Sequence, residues 1–224
     1  MSELIDLTLT LGSERVSAVP GLIGVSMKPL QTHESHTRSN TKLTLATHLG
    51  THVDAPYHFH PGGTTVEDMP LERYMGPALL LDLRGSVRSK TPISVDDLQN
   101  AGADPDAVNG KITVLFTAWA ENESGGGRFY SDGPYLSTPG AQYLADTNAN
   151  AVAVDFPIDK HPATPQSTLE DFPVHRLLLG KGIPLIENLI NLDRLVGLDF
   201  ELWALPMKLQ GGDGAATRAV ARII

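Results

Sequence analysis

Short runs of apolar residues predict a set of β-strands along the chain. Residues 42–47 alternate between apolar and polar side chains with a period of two, as in a strand that is buried on one face. Other runs are apolar at consecutive positions, which is typical of strands buried on both faces of a sheet. These runs are residues 78–83, 112–117 and 151–155, and further strand candidates are residues 202–205 and 219–224.

Signals for helix ends lie between these runs. Ser94 and Asp97 have the spacing of a capping box, which predicts a helix that ends near Gly102. Thr138 and Pro139 predict the cap and the first residue of a second helix. Shorter helices are predicted at residues 173–179 and 191–196.

Strands that alternate with helices indicate an α/β fold. The first 80 residues are richer in strand, which favours a mixed sheet over a purely parallel one. There is no internal repeat, and the polar stretch at residues 122–127 is too short to link two domains. We therefore predict a single α/β domain over residues 1–224.

Composition narrows the classes of protein that remain. The 224 residues include 17 Lys and Arg against 26 Asp and Glu, for a net charge of -9. This balance argues against nucleic-acid and anionic-membrane partners, because both need clustered basic residues. There is no cysteine, so any transition-metal site must use His, Asp and Glu. The absence of a leader pattern and of a long apolar run predicts a cytoplasmic protein.

One segment stands apart, because four of the eight histidines lie within residues 48–60. His48, His52 and Asp54 have the same parity, so in an extended chain they point to one face, and Gly50 could let the chain bend. Two imidazoles and a carboxylate form a common open set of ligands for a transition metal. The alternative is a histidine-rich surface loop. The regular spacing of the histidines and Asp54, with Gly50 and Pro56 beside them, disfavours that alternative.

Two later residues are weaker candidates. Glu187 lies in an otherwise apolar run, where a buried carboxylate is costly unless it is paired or bound to a metal. It could equally stand at a strand end and reach water. His175 lies on a predicted helix, where an ordinary helical role is the alternative.

The segment HLGTHVDAPYHF resembles the His-x-Gly-Thr-His-x-Asp-x-Pro-x-His signature of the metal-dependent cyclase-family hydrolases. That family includes kynurenine formamidases and isatin hydrolases. The resemblance extends along the chain in segments that are similar to the family's opening strand, its Ile-Glu-Asn-Leu stretch and its closing Asp-Gly-x-x-x-Arg-Ala pattern. These segments are residues 4–8, 185–189 and 205–219.

The resemblance implies a role for each matching residue. It implies that His48, His52 and Asp54 bind a first metal ion, and that Asp54 bridges to a second. The remaining ligands of the second ion would be His175 and Glu187. His58 matches the general acid/base of the family, a task that suits histidine because its usual pKa of about 6.5 lies near the working pH.

Other residues are possible substrate contacts. His60 could contact substrate or support a ligand, and Trp119 could line a pocket or simply pack in the core. Arg218 could form a structural ion pair with Asp213 or bind substrate. These three residues, His60, Trp119 and Arg218, are the substrate-binding candidates.

The function that follows is a metal-dependent hydrolase of a C–N bond in a small amide. A bound Zn²⁺ or Mn²⁺, one or two ions per chain, can lower the pKa of its water to about 7 and so supply hydroxide for attack on the carbonyl. N-formylkynurenine is the first substrate candidate, followed by cyclic amides of the isatin type and lactones. The alternative function is a metal-binding or ligand-binding module without turnover.

The resemblance also implies an architecture. It predicts one compact swivelling β/β/α-type domain with a mixed-sheet core and flanking helices. It further predicts a homodimer or homotetramer that acts on a small molecule.

Overall fold

The computed structural model describes residues 3–160 and 168–224, and within these ranges the chain forms thirteen strands and seven α-helices. The strands are β1 (Leu4–Asp6), β2 (Ser26–Gln31), β3 (Asn40–Thr44), β4 (His52–Asp54), β5 (Met75–Asp82), β6 (Pro92–Ile93), β7 (Ile112–Phe116), β8 (Tyr135–Leu136), β9 (Ala151–Val154), β10 (Leu185–Glu187), β11 (Phe200–Trp203), β12 (Gly214–Ala216) and β13 (Val220–Ile223). The helices are α1 (His33–His36), α2 (Val95–Asn100), α3 (Pro105–Val108), α4 (Trp119–Glu123), α5 (Phe129–Asp132), α6 (Thr138–Asp146) and α7 (Pro173–Gly180). Short 3-10 segments cover Pro56–His58, Leu71–Arg73 and Leu192–Leu195.

Nine of these strands form one mixed sheet in the order β1-β13-β11-β5-β7-β9-β10-β4-β12. The four central strands, β5, β7, β9 and β10, run parallel to one another. The strands on both sides of this centre are antiparallel. The mixed sheet with flanking helices confirms the fold class predicted from the sequence.

Both faces of the central strands are covered. Along β7, Ile112, Val114 and Phe116 face a core enclosed by the outer strands, whereas Leu115 faces the opposite side. On that side α6 and α7 pack on the sheet through residues such as Leu178. The prediction of burial on both faces is therefore confirmed for residues 112–116 and 151–155, whereas β5, in the third predicted run, is mostly half-buried.

Caps define the ends of the helices. The Asp97 N–H donates to Ser94 Oγ at 3.2 Å and the Ser94 N–H donates to Asp97 Oδ2 at 2.9 Å, which is the predicted capping box. The cap of α6 is Ser137 rather than Thr138, because the Ser137 hydroxyl is the one that accepts the Gly140 N–H. The predicted helix at residues 191–196 is a 3-10 turn.

β2 and β3 form a separate two-stranded sheet, which we call the arm (residues 26–44). Its strand residues are exposed apart from the half-buried Gln31. Met27 and Leu43 lie directly opposite each other across the two strands, so they form an exposed apolar pair. The predicted strand at residues 42–47 thus ends three residues early, at Thr44.

Among the residues that the structure describes, no helix has both the length and the apolar character needed to cross a membrane.

Candidate metal centre

A turn and the short strand β4 present the first predicted ligands. Gly50 has a φ of 64°, a left-handed conformation that turns the chain between His48 and His52. Only residues 52–54 are extended, and the following Pro56–His58 segment is a 3-10 turn. The bend that the sequence allowed at Gly50 is therefore present, and the extended register is limited to β4.

The neighbours of β4 bring a distant residue into the same group. β4 pairs antiparallel with β10, and His52 lies directly opposite Glu187. Val53 points into the core, so His52 and Asp54 point to the other face of the sheet. The candidate site therefore lies at the carboxyl end of the parallel strand β10, where ligand sites of open α/β sheets commonly form.

His48, His52 and Asp54 form a first group of possible ligands, whose donor atoms all lie within 4.8 Å of one another. Asp54 Oδ1 lies 2.7 Å from His48 Nδ1 and 3.3 Å from His52 Nε2. The other nitrogen of His52, Nδ1, donates to the Gly50 carbonyl at 2.9 Å. His52 therefore directs Nε2 at the carboxylate.

A second group forms on the other oxygen of Asp54. His175 Nε2 lies 3.4 Å from Asp54 Oδ2 and 3.3 Å from Glu187 Oε1. His175 Nδ1 is bound to Asp159 Oδ2 at 2.7 Å, and Asp159 also accepts the backbone N–H groups of Val174 and His175. Asp159 thus fixes both the start of α7 and the orientation of the His175 ring.

The carboxylates of this cluster fit a cation. Asp54 Oδ2 and Glu187 Oε1 are buried and have no hydrogen-bond donor among the described residues. Buried carboxylate oxygens without a donor are costly, and a bound cation would satisfy both. Imidazole and carboxylate together form a donor set for a divalent transition metal.

The pKa values of these side chains reflect the same crowding. Burial lowers the pKa of His48, but Asp54 and Asp213 outweigh it and raise that pKa to about 10. Burial also opposes the charge on Asp54, yet the neighbouring imidazoles hold its pKa well below the usual value. Without a cation, protons on the imidazoles therefore compensate the carboxylates, and a binding metal ion must displace them.

His58 lies beside these groups, but its pKa is shifted in the opposite direction from that of His48. Its ring stacks on that of His48 with centroids 3.8 Å apart and lies 6.0 Å from the His175 ring. Burial is the largest cause that lowers the pKa of His58, to about 3, and the nearby imidazoles add to the shift. His58 is therefore uncharged at neutral pH.

Two phenylalanines enclose the histidines on one side. The Phe59 ring lies 4.4 Å from the His58 ring and 5.0 Å from the His175 ring. Phe172 packs on both Phe59 and His175. His60 points away from this contact and binds the Arg176 carbonyl of α7 at 2.8 Å, so it joins the 3-10 turn to the helix.

Gly214 on β12 is required by the ring of His48. It lies opposite Asp54 in the sheet. A Cβ atom there would lie 2.6 Å from His48 Cε1 and 2.6 Å from the Val53 carbonyl oxygen, closer than atoms can pack. Only glycine at this position leaves room for His48 beside the strand.

Two of the substrate-binding candidates lie elsewhere. Arg218 is exposed and forms a two-pronged ion pair with Asp6 at 2.8 and 2.7 Å. The expected pair with Asp213 is therefore wrong, because Asp213 Oδ2 lies 3.2 Å from His48 Nε2 instead. Trp119 begins α4, is half-buried, and its indole N–H donates to the Phe129 carbonyl at 3.0 Å.

Sequence reasoning missed three residues that support the site. Asp159 follows β9 in a segment whose sequence pattern gives no distinct signal. The segment that comes after it, residues 161–167, lies outside the described residues. Asp213 and Asn188 stand in segments that carry the family resemblance, which was the only signal for them. Their contacts depend on strands that are distant in sequence.

The fold and this site together indicate a class of protein. A cluster of three histidines and two carboxylates at the carboxyl edge of a mixed sheet is the site of a metal-dependent hydrolase. Two solved structures share the fold. An isatin hydrolase bound to the product analogue thioisatinate has a TM-score of 0.83 at 22% identity, over 99% of this chain and 92% of that one. A structure described as a potential metal-dependent hydrolase with cyclase activity has a TM-score of 0.74 at 26% identity, over 99% and 98%.

Sequence comparison identifies the family. The family model described as "Putative cyclase" matches residues 5–159. A kynurenine formamidase of Geobacillus thermodenitrificans is 33% identical over 181 residues, which is 81% of this chain and 78% of that protein. The chain belongs to the cyclase family of metal-dependent hydrolases.

Proposed function

We propose that this chain hydrolyses the C–N bond of a small aryl formamide, with N-formylkynurenine as the first candidate. The observation that carries the proposal is the carboxylate of Asp54, which has His48 and His52 at one oxygen and His175 at the other. The kynurenine formamidases among the relatives support the choice of substrate. The structural likeness to isatin hydrolase supports a cyclic amide as the second candidate, and a lactone ranks third.

The ligands divide between two positions. His48, His52 and Asp54 would hold one cation, and His175, Glu187 and the second oxygen of Asp54 would hold another. A bound Zn²⁺ or Mn²⁺ supplies an acidified water molecule and polarises the substrate carbonyl. The donor set accommodates either element, and we propose up to two ions per chain.

His58 moves the proton in this proposal. Its uncharged ring accepts a proton from the attacking water and returns it to the leaving amine nitrogen. The stacking of His58 on His48 and its contact with Phe59 hold the ring at the cluster. Phe59 and Phe172 exclude water from this side of the site and provide aromatic surfaces for an aryl group.

A substrate panel with metal reconstitution tests the proposal. The purified chain is stripped with a chelator and then assayed with Zn²⁺ or Mn²⁺ on a formyl amide, a cyclic amide and a lactone. We expect no turnover after stripping and restored turnover of N-formylkynurenine after metal addition. Bound metal with no turnover of any of the three would contradict the proposal and favour a non-catalytic binding protein.

We also propose that the chain works in the cytoplasm as a homodimer or homotetramer, with no nucleic-acid or membrane partner. The net charge of -9 supports the proposal that no nucleic acid or membrane is a partner. The arm supports the proposed assembly, because Met27 and Leu43 form an exposed apolar pair that a second chain could cover.

A further inference from the structure

The carbonyl of Gly50 accepts two hydrogen bonds from the candidate site. One comes from His52 Nδ1 at 2.9 Å and the other from the side-chain amide of Asn188, Nδ2, at 2.8 Å. Gly50 belongs to the turn before β4, whereas Asn188 directly follows Glu187 at the end of β10. The side-chain amide of Asn188 therefore connects the segments that carry the two ligand groups.

The direction of these hydrogen bonds determines which atom of His52 can bind a metal. A carbonyl oxygen only accepts, so Nδ1 of His52 carries a proton, and Nε2 is the ring nitrogen that can offer a lone pair to a metal ion. Nε2 is the atom that faces Asp54 Oδ1 at 3.3 Å. A fixed Gly50 carbonyl thus fixes both the tautomer and the orientation of the His52 ring.

The backbone of Asn188 is held as firmly as its side chain. Asn188 is 3% exposed and has a φ of 61°, a left-handed conformation that asparagine tolerates better than most residues. Its carbonyl accepts the Thr51 hydroxyl at 2.8 Å, and the next N–H, that of Leu189, donates to the Val154 carbonyl at 3.0 Å. Asn188 therefore makes reciprocal hydrogen bonds with residues 50 and 51, one from its side chain and one to its backbone.

We propose that Asn188 is a positioning residue that sets the relative placement of the two candidate metal positions. It holds the Gly50 carbonyl that orients His52, and it directly follows Glu187, so it joins a ligand of each group. This inference rests on the proposed function, since it concerns the same ligands. It adds a residue that touches neither cation.

Asn188→Gly is the direct test, because glycine adopts the left-handed conformation freely and the substitution removes the side-chain amide. Asn191→Gly is the matched control. Asn191 has a φ of 59°, and its Nδ2 also donates to a backbone carbonyl, that of Asp6, at 2.7 Å. The control therefore loses the same kind of hydrogen bond away from the cluster.

The measurements are the Zn²⁺ affinity by competition with a chromophoric chelator, the visible spectrum of the Co²⁺-substituted chain, and kcat and KM on the best substrate of the panel. We expect Asn188→Gly to lose about 10–100-fold in metal affinity and to change the Co²⁺ spectrum. We expect kcat to fall more than KM rises. Asn191→Gly should match the wild type in all three readouts at a similar thermal midpoint of the metal-free chain.

The outcomes separate this inference from the proposed function. A wild-type chain that binds no divalent cation would overturn the proposed function itself. A wild-type chain that binds metal together with an Asn188→Gly variant of equal affinity and spectrum would overturn only the positioning role. If Asn188→Gly does not fold, Asn188→Asp replaces it, since aspartate keeps the size and the backbone tolerance but cannot donate to the Gly50 carbonyl. Wild-type affinity and spectrum in that variant would also overturn the role.

Discussion

The histidines of the cluster are held through the ring nitrogen that does not face the shared carboxylate of Asp54. His175 is held by Asp159 and His52 by the carbonyl of Gly50. A charged acceptor makes the neighbouring imidazole more electron-rich than a neutral carbonyl does. His175 is therefore a stronger imidazole donor than His52.

At the residue scale, replacement of His58 should separate proton transfer from metal binding. We expect His58→Gln to lower kcat by roughly 10²–10⁴-fold, because glutamine cannot carry the proton, while metal content stays at the wild-type level. Steady-state kinetics and elemental analysis of the same preparation measure the two effects. His33→Gln, on the exposed helix α1, is the control. A loss of metal in His58→Gln would instead identify His58 as a ligand.

Asp155 predicts a pH dependence of stability that is independent of the metal cluster. It is buried at the end of β9, where Oδ1 accepts the N–H and the hydroxyl of Thr117. Burial is the main cause that raises the pKa of Asp155 from 3.8 to about 7. The folded chain therefore retains a proton that the unfolded chain releases above pH 4.

The sign of the effect follows from that retained proton. Below pH 4 the proton is bound in both states, and between pH 4 and 7 the free energy of unfolding falls as pH rises. The total loss is on the order of 4 kcal/mol for a shift of this size. We expect Asp155→Asn to lack this decline in urea unfolding at pH 4, 5.5 and 8, with the exposed Asp106→Asn as control. Parallel curves for wild type and Asp155→Asn would contradict the assignment.

At this scale the sequence could predict residues whose neighbours are local. His48, His52 and Asp54 lie within seven positions, so their parity and Gly50 were enough to group them. Asp159 and Asn188 could not be predicted in the same way. Their partners become neighbours only when β4, β10 and α7 have assembled, and neither residue type is distinctive in a loop.

At the element scale, the position of β4 between β10 and β12 controls the space for His48. We expect Gly214→Ala to destabilise the folded chain by about 1–3 kcal/mol, because its Cβ would overlap the His48 ring and a backbone carbonyl. Metal affinity should fall as well, since the ring must move. Chemical denaturation and metal titration measure both effects.

Gly85→Ala is the control for that substitution. A Cβ atom at Gly85 meets no heavy atom within 4 Å, and its φ lies outside the left-handed region. We expect near-wild-type stability and metal affinity from it. Equal behaviour of the two variants would show that β12 does not constrain His48.

The elements that were predicted well are those with long apolar runs. β7 and β9 were found because residues buried on both faces leave a continuous hydrophobic signal. β4 is three residues long and carries two polar ligands, so its pattern resembles a polar loop. Its place in the sheet is determined by pairing with β10 and β12, which single-sequence periodicity does not contain.

At the scale of the whole molecule, the arm predicts how chains assemble. We expect the wild type to form a dimer or tetramer in light scattering coupled to size-exclusion chromatography. Leu43→Glu should shift it towards the monomer, because a charge would then stand within the exposed apolar pair. Leu71→Glu, an exposed leucine outside the arm, should leave the mass unchanged. A monomeric wild type would rule out this assembly.

The distribution of the ligands along the chain has a consequence for the order of maturation. His48, His52 and Asp54 leave the ribosome together, whereas 133 positions separate Asp54 from Glu187. In the proposed two-ion site, the second position would therefore form only after synthesis is nearly complete and β10 has docked beside β4. Occupancy of that position would then report that the chain has folded as far as β10.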